Sequence, residues 1–250
     1  MLLSIVFVGM VAAAQDPAVL FSQGLQAYAS EDYERAMSLF EQAVKMQPNV
    51  AAYHHWFGRA AGRRAERVFF MRAIGLAKKV RVAFERAAEL DATYVEVRSD
   101  LLEFYLEAPS IVGGGEDKAR EIAARLAELD AAEGHRAQAR IFMKKKNYSA
   151  AETELRQALE LDPQKTGRYL DLASFLGERG RHAEADALFE QAATLSPDSP
   201  NYLFARGKHL ALHRKDPEEA RRLLENYLRS KRHPDDPPAS EVQALLKKLG

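Results

Sequence analysis

Cysteine is missing from all 250 residues of the chain. Disulfide bonds, thiolate metal sites and a cysteine nucleophile are therefore excluded. The chain also lacks a net charge, because 36 Lys and Arg residues balance 36 Asp and Glu residues. This balance gives no electrostatic reason to expect nucleic acid as the main partner. Hydrophobic residues make up 47% of the chain, which is enough to form a buried core.

The N-terminal apolar run, from Leu2 to Val11, is too short to span a bilayer comfortably, which takes about 20 apolar residues. The small residues Ala12 to Ala14 follow it, as in a secretory leader that is cleaved after Ala14. We therefore expect residues 1–14 to be a signal peptide. The mature protein is then expected to be periplasmic or secreted and not an integral membrane protein. A buried first helix or an uncleaved anchor is the alternative.

A nine-residue pattern recurs along the chain. Each copy begins with a large apolar residue, has Ala three places later, and ends with Pro or a small residue. The copies are FEQAVKMQP (40–48), FERAAELDA (84–92), LRQALELDP (155–163) and FEQAATLSP (189–197). The last two lie 34 residues apart, a period typical of stacked helix–turn–helix units.

A second pattern lies upstream of each copy and completes a pair of helices. In the clearest case Tyr169, Leu172, Ala173 and Leu176 fall on one helical face. The small residue on this face, Ala173, allows two helices to cross closely. The large residue that begins the following nine-residue copy, Phe189, fills the gap to the next unit. The closing Pro ends the second helix because it cannot donate a helical hydrogen bond.

These motifs resemble the tetratricopeptide repeat family over nearly the whole chain beyond the leader. The resemblance implies an all-α fold, a right-handed α-solenoid of helix–turn–helix repeats. We predict one domain, 15–233, with six units, and a linker and capping helix at 234–250. The units, called one to six below, are 17–50, 51–94, 95–131, 132–165, 166–199 and 200–233. A narrower similarity, in GRAAGRRAE, GLAKKVRVAFERAAELD and FYLEAPSIVGGGEDKA, is to exported bacterial tetratricopeptide proteins without an assigned function.

Unit two contains an inserted segment, residues 62–80, that has no Pro and is predicted to form an extended helix or a helical excursion. Four consecutive apolar residues, 68–71, cannot all face inward on one helix. We expect them to be buried between helices, with contact to an external partner as the alternative.

Unit three contains a second insertion, residues 108–117, with three consecutive glycines before a predicted helix. A phosphate-binding loop would need a preceding strand and a Lys–Ser/Thr pair, whereas Glu116 and Asp117 begin this helix and would repel an anion. We predict a turn between two helices. Its residues Ile111, Val112, Gly113 and Gly114 form a candidate partner-binding loop, and packing onto the loop's own helices is the alternative.

The family resemblance implies that the first helix of each unit lines a concave groove. The inward positions carried over to this chain give ten candidate peptide-binding residues: Tyr28, His55, Arg59, Arg63, Glu103, Arg136, Arg140, Lys144, Ser174 and Lys208. Arg and Lys in this set would hold carboxylates of a bound peptide. The alternative is that the acidic stripe of unit three is neutralised by its basic neighbours. Some family members use an Asn clamp for acidic C-termini, and this chain does not match it.

No catalytic set of nucleophile, base and orienting residue is evident, and no cofactor is expected. His209 and His213 have a spacing that suits a metal, but no Glu follows His209 and no third ligand is evident, so no metal site is predicted. His54 and His55 are adjacent and therefore lie on different helix faces.

We therefore predict a non-enzymatic scaffold of the bacterial envelope that binds a protein or peptide in its concave groove. The alternative is an accessory subunit of an envelope enzyme or secretion complex, which contacts its partners through the insertions of units two and three. A hidden hydrolase or metal enzyme is the third interpretation.

Overall fold

The computed structural model describes residues 16–213 and 216–250. Within them lie thirteen α-helices, one short 3₁₀ helix (Ser110–Val112) and no strand. The helices are α1 (Pro17–Ala29), α2 (Tyr33–Met46), α3 (Ala51–Ala65), α4 (Phe70–Leu90), α5 (Val95–Glu107), α6 (Glu116–Leu129), α7 (Ala131–Lys144), α8 (Tyr148–Leu161), α9 (Thr166–Glu178), α10 (His182–Leu195), α11 (Pro200–His213), α12 (Pro217–Arg229) and α13 (Ala239–Leu249). The predicted signal peptide, 1–14, lies outside the described residues.

Helices that are consecutive in sequence pack against each other along the chain. The first helix of a unit also contacts the first helix of the next unit, as seen for α1 with α3, α5 with α7, and α9 with α11. A helix pair cannot bury its apolar face alone, and stacking on a neighbouring pair supplies the missing contacts. The predicted all-α solenoid is therefore confirmed.

Glycine allows the two helices of a unit to approach closely. A Cβ atom on Gly24 in α1 would lie 2.5 Å from Cε1 of Phe40 in α2, which no real Cβ tolerates. The same distance separates a Cβ on Gly58 in α3 from Cε1 of Phe84 in α4. The small residue of the first helix and the large residue of the second helix therefore pack directly against each other in these two units.

The helix starts and the turns within units are fixed by local chemistry. Side-chain oxygens cap the first turns of five helices by accepting backbone N–H groups, and the capping residues are Asp16, Asp32, Asp130, Asn147 and Asp216. The turns inside units one, four and five each place one residue at positive φ, namely Glu31, Lys146 and Gly180. The same turn geometry therefore recurs in three units.

The hydrophobic core is divided along the solenoid. One cluster joins units one to four, a second joins units four to six, and a third joins unit six to α13. In the third cluster Val242 and Leu245 of α13 pack with Tyr227, and all three are buried. Helix α13 therefore covers the apolar end of unit six, as a capping helix does.

The insertion of unit two lengthens a helix. Helix α4 has 21 residues where α2 has 14, and its inner-face residues Leu76 and Val80 are buried. The expectation of burial for the apolar run was wrong for Phe69, Phe70 and Met71, whose exposed fractions are 88, 68 and 76%. Phe69 precedes α4, and Phe70 and Met71 lie in its first turn. The buried residues of α4 begin only at Leu76, so this first turn does not contact the core.

The insertion of unit three folds back onto its own scaffold. Val112 is 3% exposed, and its carbonyl oxygen accepts a hydrogen bond from Nε of Arg81 in α4 at 3.2 Å. Gly113 adopts a φ of 100°, and a Cβ on Gly114 would lie 1.7 Å from the carbonyl oxygen of Ala108. The glycines are thus required by the turn itself. Val112 is not available to a partner, contrary to its place in the candidate loop, whereas Ile111 is 69% exposed.

Among residues 16–213 and 216–250, none of the helices combines the length and the apolar character needed to cross a lipid bilayer.

Candidate functional site

A cavity of about 770 Å³ lies against the first helices of units one to three. Four of the ten predicted groove residues line it: Tyr28, Arg59, Arg63 and Glu103. The opposite wall includes residues between Ser230 and Glu241, most of them in the C-terminal linker, defined here as residues 230–238 between α12 and α13. The N-terminal half of the groove is thus closed by the C-terminal end of the chain.

Arg59 is the central cation of this cavity. Its Nε donates to Oδ2 of Asp100 at 2.5 Å, and its guanidinium carbon lies 5.1 Å from the centre of the Trp56 ring. Burial would raise the pKa of Asp100, but the hydrogen bond from His55 and the charge of Arg59 outweigh it and lower the pKa. Asp100 is therefore a carboxylate that holds Arg59 in place across the cavity wall.

His55 does not line the groove, contrary to the prediction. It is 1% exposed, with Nδ1 2.8 Å from the Tyr94 hydroxyl and Nε2 2.8 Å from Oδ2 of Asp100. Burial lowers its pKa, so the ring is neutral near pH 7. The position faces the junction with the next unit, where Tyr94 at the end of unit two and Asp100 of unit three satisfy both ring nitrogens. His55 acts on the cavity only by positioning Asp100.

Aromatic rings form the floor beside Arg59. Tyr28 meets Trp56 edge to face, with ring centres 5.2 Å apart, and burial raises the pKa of Tyr28 to about 12. At the rim, Nη1 of Arg63 lies 3.2 Å from Oε2 of Glu66. An apolar floor with one well-positioned cation suits an extended segment that carries a carboxylate.

The C-terminal linker supplies such a carboxylate. Asp235 contacts the guanidinium of Arg59, and the ring centre of His233 lies 6.1 Å from that of Trp56. Beyond the linker, the backbone N–H and hydroxyl of Ser240 donate to the two carboxylate oxygens of Glu31 at 3.0 and 2.7 Å. The first turn of α13 is thereby tied to unit one, 209 residues away in sequence.

The basic residues of unit four are paired with acidic residues of its neighbours. Arg140 lies 3.7 Å from Glu103 and Lys144 lies 2.7 Å from Glu107, both toward unit three. Arg136 contacts Glu133 at 2.7 Å within its own helix and Asp171 of unit five at 2.5 Å. This arrangement agrees with the alternative interpretation, in which the acidic residues of unit three are neutralised by their basic neighbours.

The remaining predicted groove residues lie apart from the first cavity. Ser174 lines a smaller cavity of about 190 Å³ together with Arg136 and Arg140. Lys208 donates from Nζ to Oε1 of Glu241 in the capping helix at 3.0 Å. The ten candidates therefore do not form one continuous site.

Two family models, each described as tetratricopeptide repeat, match this chain at residues 19–50 and 142–208. Together with the stacked helix pairs, these matches decide the family. The chain is a tetratricopeptide repeat protein. Such repeats generally mediate protein–protein interactions, and their scaffold is typically non-catalytic.

Solved tetratricopeptide structures share the fold at low sequence identity. A thermophilic protein of Thermus thermophilus is 20% identical with a TM-score of 0.55, and the match covers 85% of this chain and all of that one. A protein of Parabacteroides merdae is 16% identical with a TM-score of 0.62, covering 95% and 86% of the two chains. Pseudomonas aeruginosa pilF is 14% identical with a TM-score of 0.51, covering 91% and 96%. A search of curated proteins gives no match.

Some site residues of this tetratricopeptide protein were missed from the sequence. Asp100 lies three residues before Glu103, a predicted inward position, but only the folded structure shows that its carboxylate reaches Arg59. The pair Asp235 and Asp236 stands between prolines, which was a visible signal of an extended acidic segment. No third partner was evident for His209 and His213, yet α10 places the ring centre of His182 4.4 Å from that of His213.

Proposed function

We propose that this tetratricopeptide protein is a scaffold that binds an extended acidic segment of a partner protein in the cavity of units one to three. The observation that carries the proposal is the contact of Asp235 with Arg59 beside Trp56. The C-terminal linker occupies the position that the partner segment would take.

The chemistry of the linker indicates the chemistry of the partner. Its sequence, SKRHPDDPP, is rich in proline and therefore favours an extended backbone with little conformational entropy to lose on binding. The carboxylate of Asp235 contacts Arg59, whose side chain is only 16% exposed, and the ring of His233 lies near Trp56. A charge-assisted contact in such a partly desolvated place is stronger than an exposed ion pair.

Because the linker is part of the same chain, it competes with any partner at a high effective concentration, on the order of millimolar for a short tether. A partner segment must therefore either bind more tightly than the linker or meet a chain whose linker has been released. Occupation by the linker would keep the cavity from binding acidic peptides indiscriminately.

A labelled peptide with the sequence of residues 231–240 tests this function in a fluorescence-anisotropy titration. The full chain is expected to bind it weakly, because its own linker occupies the cavity. A chain carrying His233→Ala and Asp235→Ala is expected to bind it about tenfold more tightly. Adding Arg59→Ala to that chain should abolish the gain.

The matched control adds Arg86→Ala to the linker variant instead, since the side chain of Arg86 is only half-buried and pairs with Glu89 three residues away. This control should bind the peptide as the linker variant does. Equal binding by all variants, or a gain that survives the loss of Arg59, would show that the cavity is not the peptide site.

We place the scaffold in the bacterial envelope on the strength of the leader pattern in residues 1–14. The expected observation is a mature N-terminus at Gln15, read by mass spectrometry of the protein from a periplasmic or secreted fraction. Recovery of residues 1–14 on protein from the cytoplasm would contradict export.

The exposed apolar tip of unit two, residues 69–71, favours a second candidate function, that of an accessory subunit. Three adjacent large apolar side chains in solvent are unusual for a monomer and mark a protein contact. A triple change of Phe69, Phe70 and Met71 to Ser should remove the proteins that the native chain captures from an envelope extract. The control Leu212→Ser, which alters another exposed apolar residue, should retain them; equal capture by both variants would argue against this role.

A further inference from the structure

Three histidines meet at the junction of units five and six. His182 is the first residue of α10, while His209 and His213 lie one turn apart on α11. Their ring centres are 4.4, 4.9 and 5.6 Å apart. One nitrogen of each ring lies within 4.8 Å of a nitrogen of the other two.

These separations are close to those of a three-histidine metal site. A tetrahedral ion with nitrogen ligands at about 2.1 Å places its imidazole rings about 5 Å apart and the ligand nitrogens about 3.4 Å apart. The rings therefore already have the required spacing, and the nitrogens need to turn inward by about 1 Å. Rotation about the side-chain torsions of the two less buried histidines supplies this movement.

Two buried nitrogens of the cluster make no hydrogen bond to residues 16–213 or 216–250. In the part of the chain that the structure describes, the buried side-chain atoms in this condition are Nδ1 of His182, Nε2 of His209 and Nε of Arg168. His209 is only 5% exposed, so water does not readily replace the missing partner. Buried polar atoms without a partner cost free energy, and a metal ion would satisfy both imidazoles at once.

The fold also holds the His209 ring in place. A Cβ on Gly177 would lie 2.5 Å from Nδ1 of His209, so the glycine in α9 leaves room for the ring. The ring centre of Phe189 lies 5.1 Å away. Glycine and phenylalanine thus fix the orientation in which Nε2 of His209 points away from Gly177 and toward Asp186.

The local charges permit a cation. Oδ1 of Asp186 lies 3.5 Å from Nε2 of His209 and favours a cation, while Arg206, which contacts the same carboxylate, opposes it. The two charges offset each other, and the imidazoles decide the affinity.

We propose that His182, His209 and His213 bind one divalent transition-metal ion of the zinc type and thereby clamp unit five to unit six. Imidazole nitrogens suit zinc and its neighbours better than magnesium or calcium, which take oxygen ligands. Three protein ligands leave the fourth position of the ion to water or to the carboxylate of Asp186.

The test uses the full chain without an affinity tag, freed of metal by chelator and dialysis. Titration with zinc chloride in a calorimeter is expected to show one ion per chain. Saturating zinc should raise the thermal unfolding midpoint by about 5 °C, since a ligand that binds only the folded state stabilises it. Cobalt chloride should give the visible absorption of a four-coordinate Co²⁺ ion.

His182→Ala and His213→Gln are each expected to weaken zinc binding by about tenfold or more. His213→Gln changes a half-buried residue and keeps the variant testable should His182→Ala fail to fold. His54→Ala is the matched control, because His54 contacts the carbonyl oxygen of Pro48 in another unit. The proposal is overturned if no saturable binding occurs at micromolar zinc, or if the two cluster variants bind zinc as the control does.

Discussion

The guanidinium of Arg168 lies 2.9 Å from the carboxylate of Glu133 in the interior between units four and five. Their side chains are 1 and 7% exposed, and the other carboxylate oxygen of Glu133 contacts Arg136 at 2.7 Å. Burial alone would raise the pKa of Glu133, but the charge of Arg136 and the hydrogen bond from Arg168 lower it to about 2. A buried ionic group therefore joins units four and five.

Glu133→Gln is expected to lower the free energy of unfolding by about 3 kcal/mol, because it leaves the buried charge of Arg168 largely uncompensated. The measurement is urea unfolding followed by circular dichroism at pH 7. Glu41→Gln is the control, since the side chain of Glu41 is 41% exposed and its pair with Lys45 contributes about 0.5 kcal/mol at most. Equal midpoints for the two variants would contradict the structural role of Glu133.

Acid should destabilise the chain through the same carboxylate. The ordinary pKa of Glu133, 4.5, is lowered to about 2 in the folded state. Its contribution to stability is therefore complete above pH 4.5 and is lost as the pH falls toward 2. Unfolding midpoints measured from pH 6 down to pH 2 should fall less steeply for Glu133→Gln than for the native chain, and parallel curves would show that another group controls the acid transition.

Substitutions at Gly58 and Gly75 distinguish two effects of glycine on stability, namely close helix packing and the conformational entropy of the unfolded chain. Gly58→Ala is expected to destabilise the chain by about 1–3 kcal/mol, because the new Cβ would lie 2.5 Å from Cε1 of Phe84 and force that ring to move. Gly75→Ala, in α4 with no atom within 4 Å of its Cβ, is expected to stabilise by about 0.5–1 kcal/mol. Thermal unfolding measures both, and two changes of the same sign would contradict this account of Gly58.

Trp56 reports on the C-terminal linker because it is the single tryptophan of the chain and lies near His233. Asp235→Ala is expected to free the linker, change the Trp56 emission, and speed hydrogen exchange in residues 230–241. Asp198→Ala, in an exposed turn between α10 and α11, should leave both signals unchanged. An unaltered exchange rate in the Asp235 variant would mean that the linker is held by contacts other than Arg59.

The repeat and its helices were predictable because they depend on local spacing. A large residue follows a small one at a fixed distance in each unit, and Gly24 with Phe40 shows that both belong to one interhelical contact. For the inserted segment of unit two, an extended helix was one of two predictions, because the segment contains no proline. The exposure of Phe69 to Met71 was not, because sequence spacing does not show where the neighbouring helix ends.

The candidate site was predicted less well than the fold. Tyr28, Arg59, Arg63 and Glu103 do line one cavity, since the inward positions of first helices follow from helical geometry. His55 was placed wrongly because its burial depends on Tyr94 at the end of its own unit and on Asp100 in the next unit.

The all-helical chain of repeated pairs follows from local sequence, since a period of small, large and helix-ending residues leaves little choice of local structure. Three long-range contacts arise only when the units stack: Asp235 with Arg59, Ser240 with Glu31, and His182 with His209 and His213. These contacts depend on the accumulated rotation from one unit to the next. That rotation is a sum of small packing angles along the whole stack, and no single stretch of sequence encodes it.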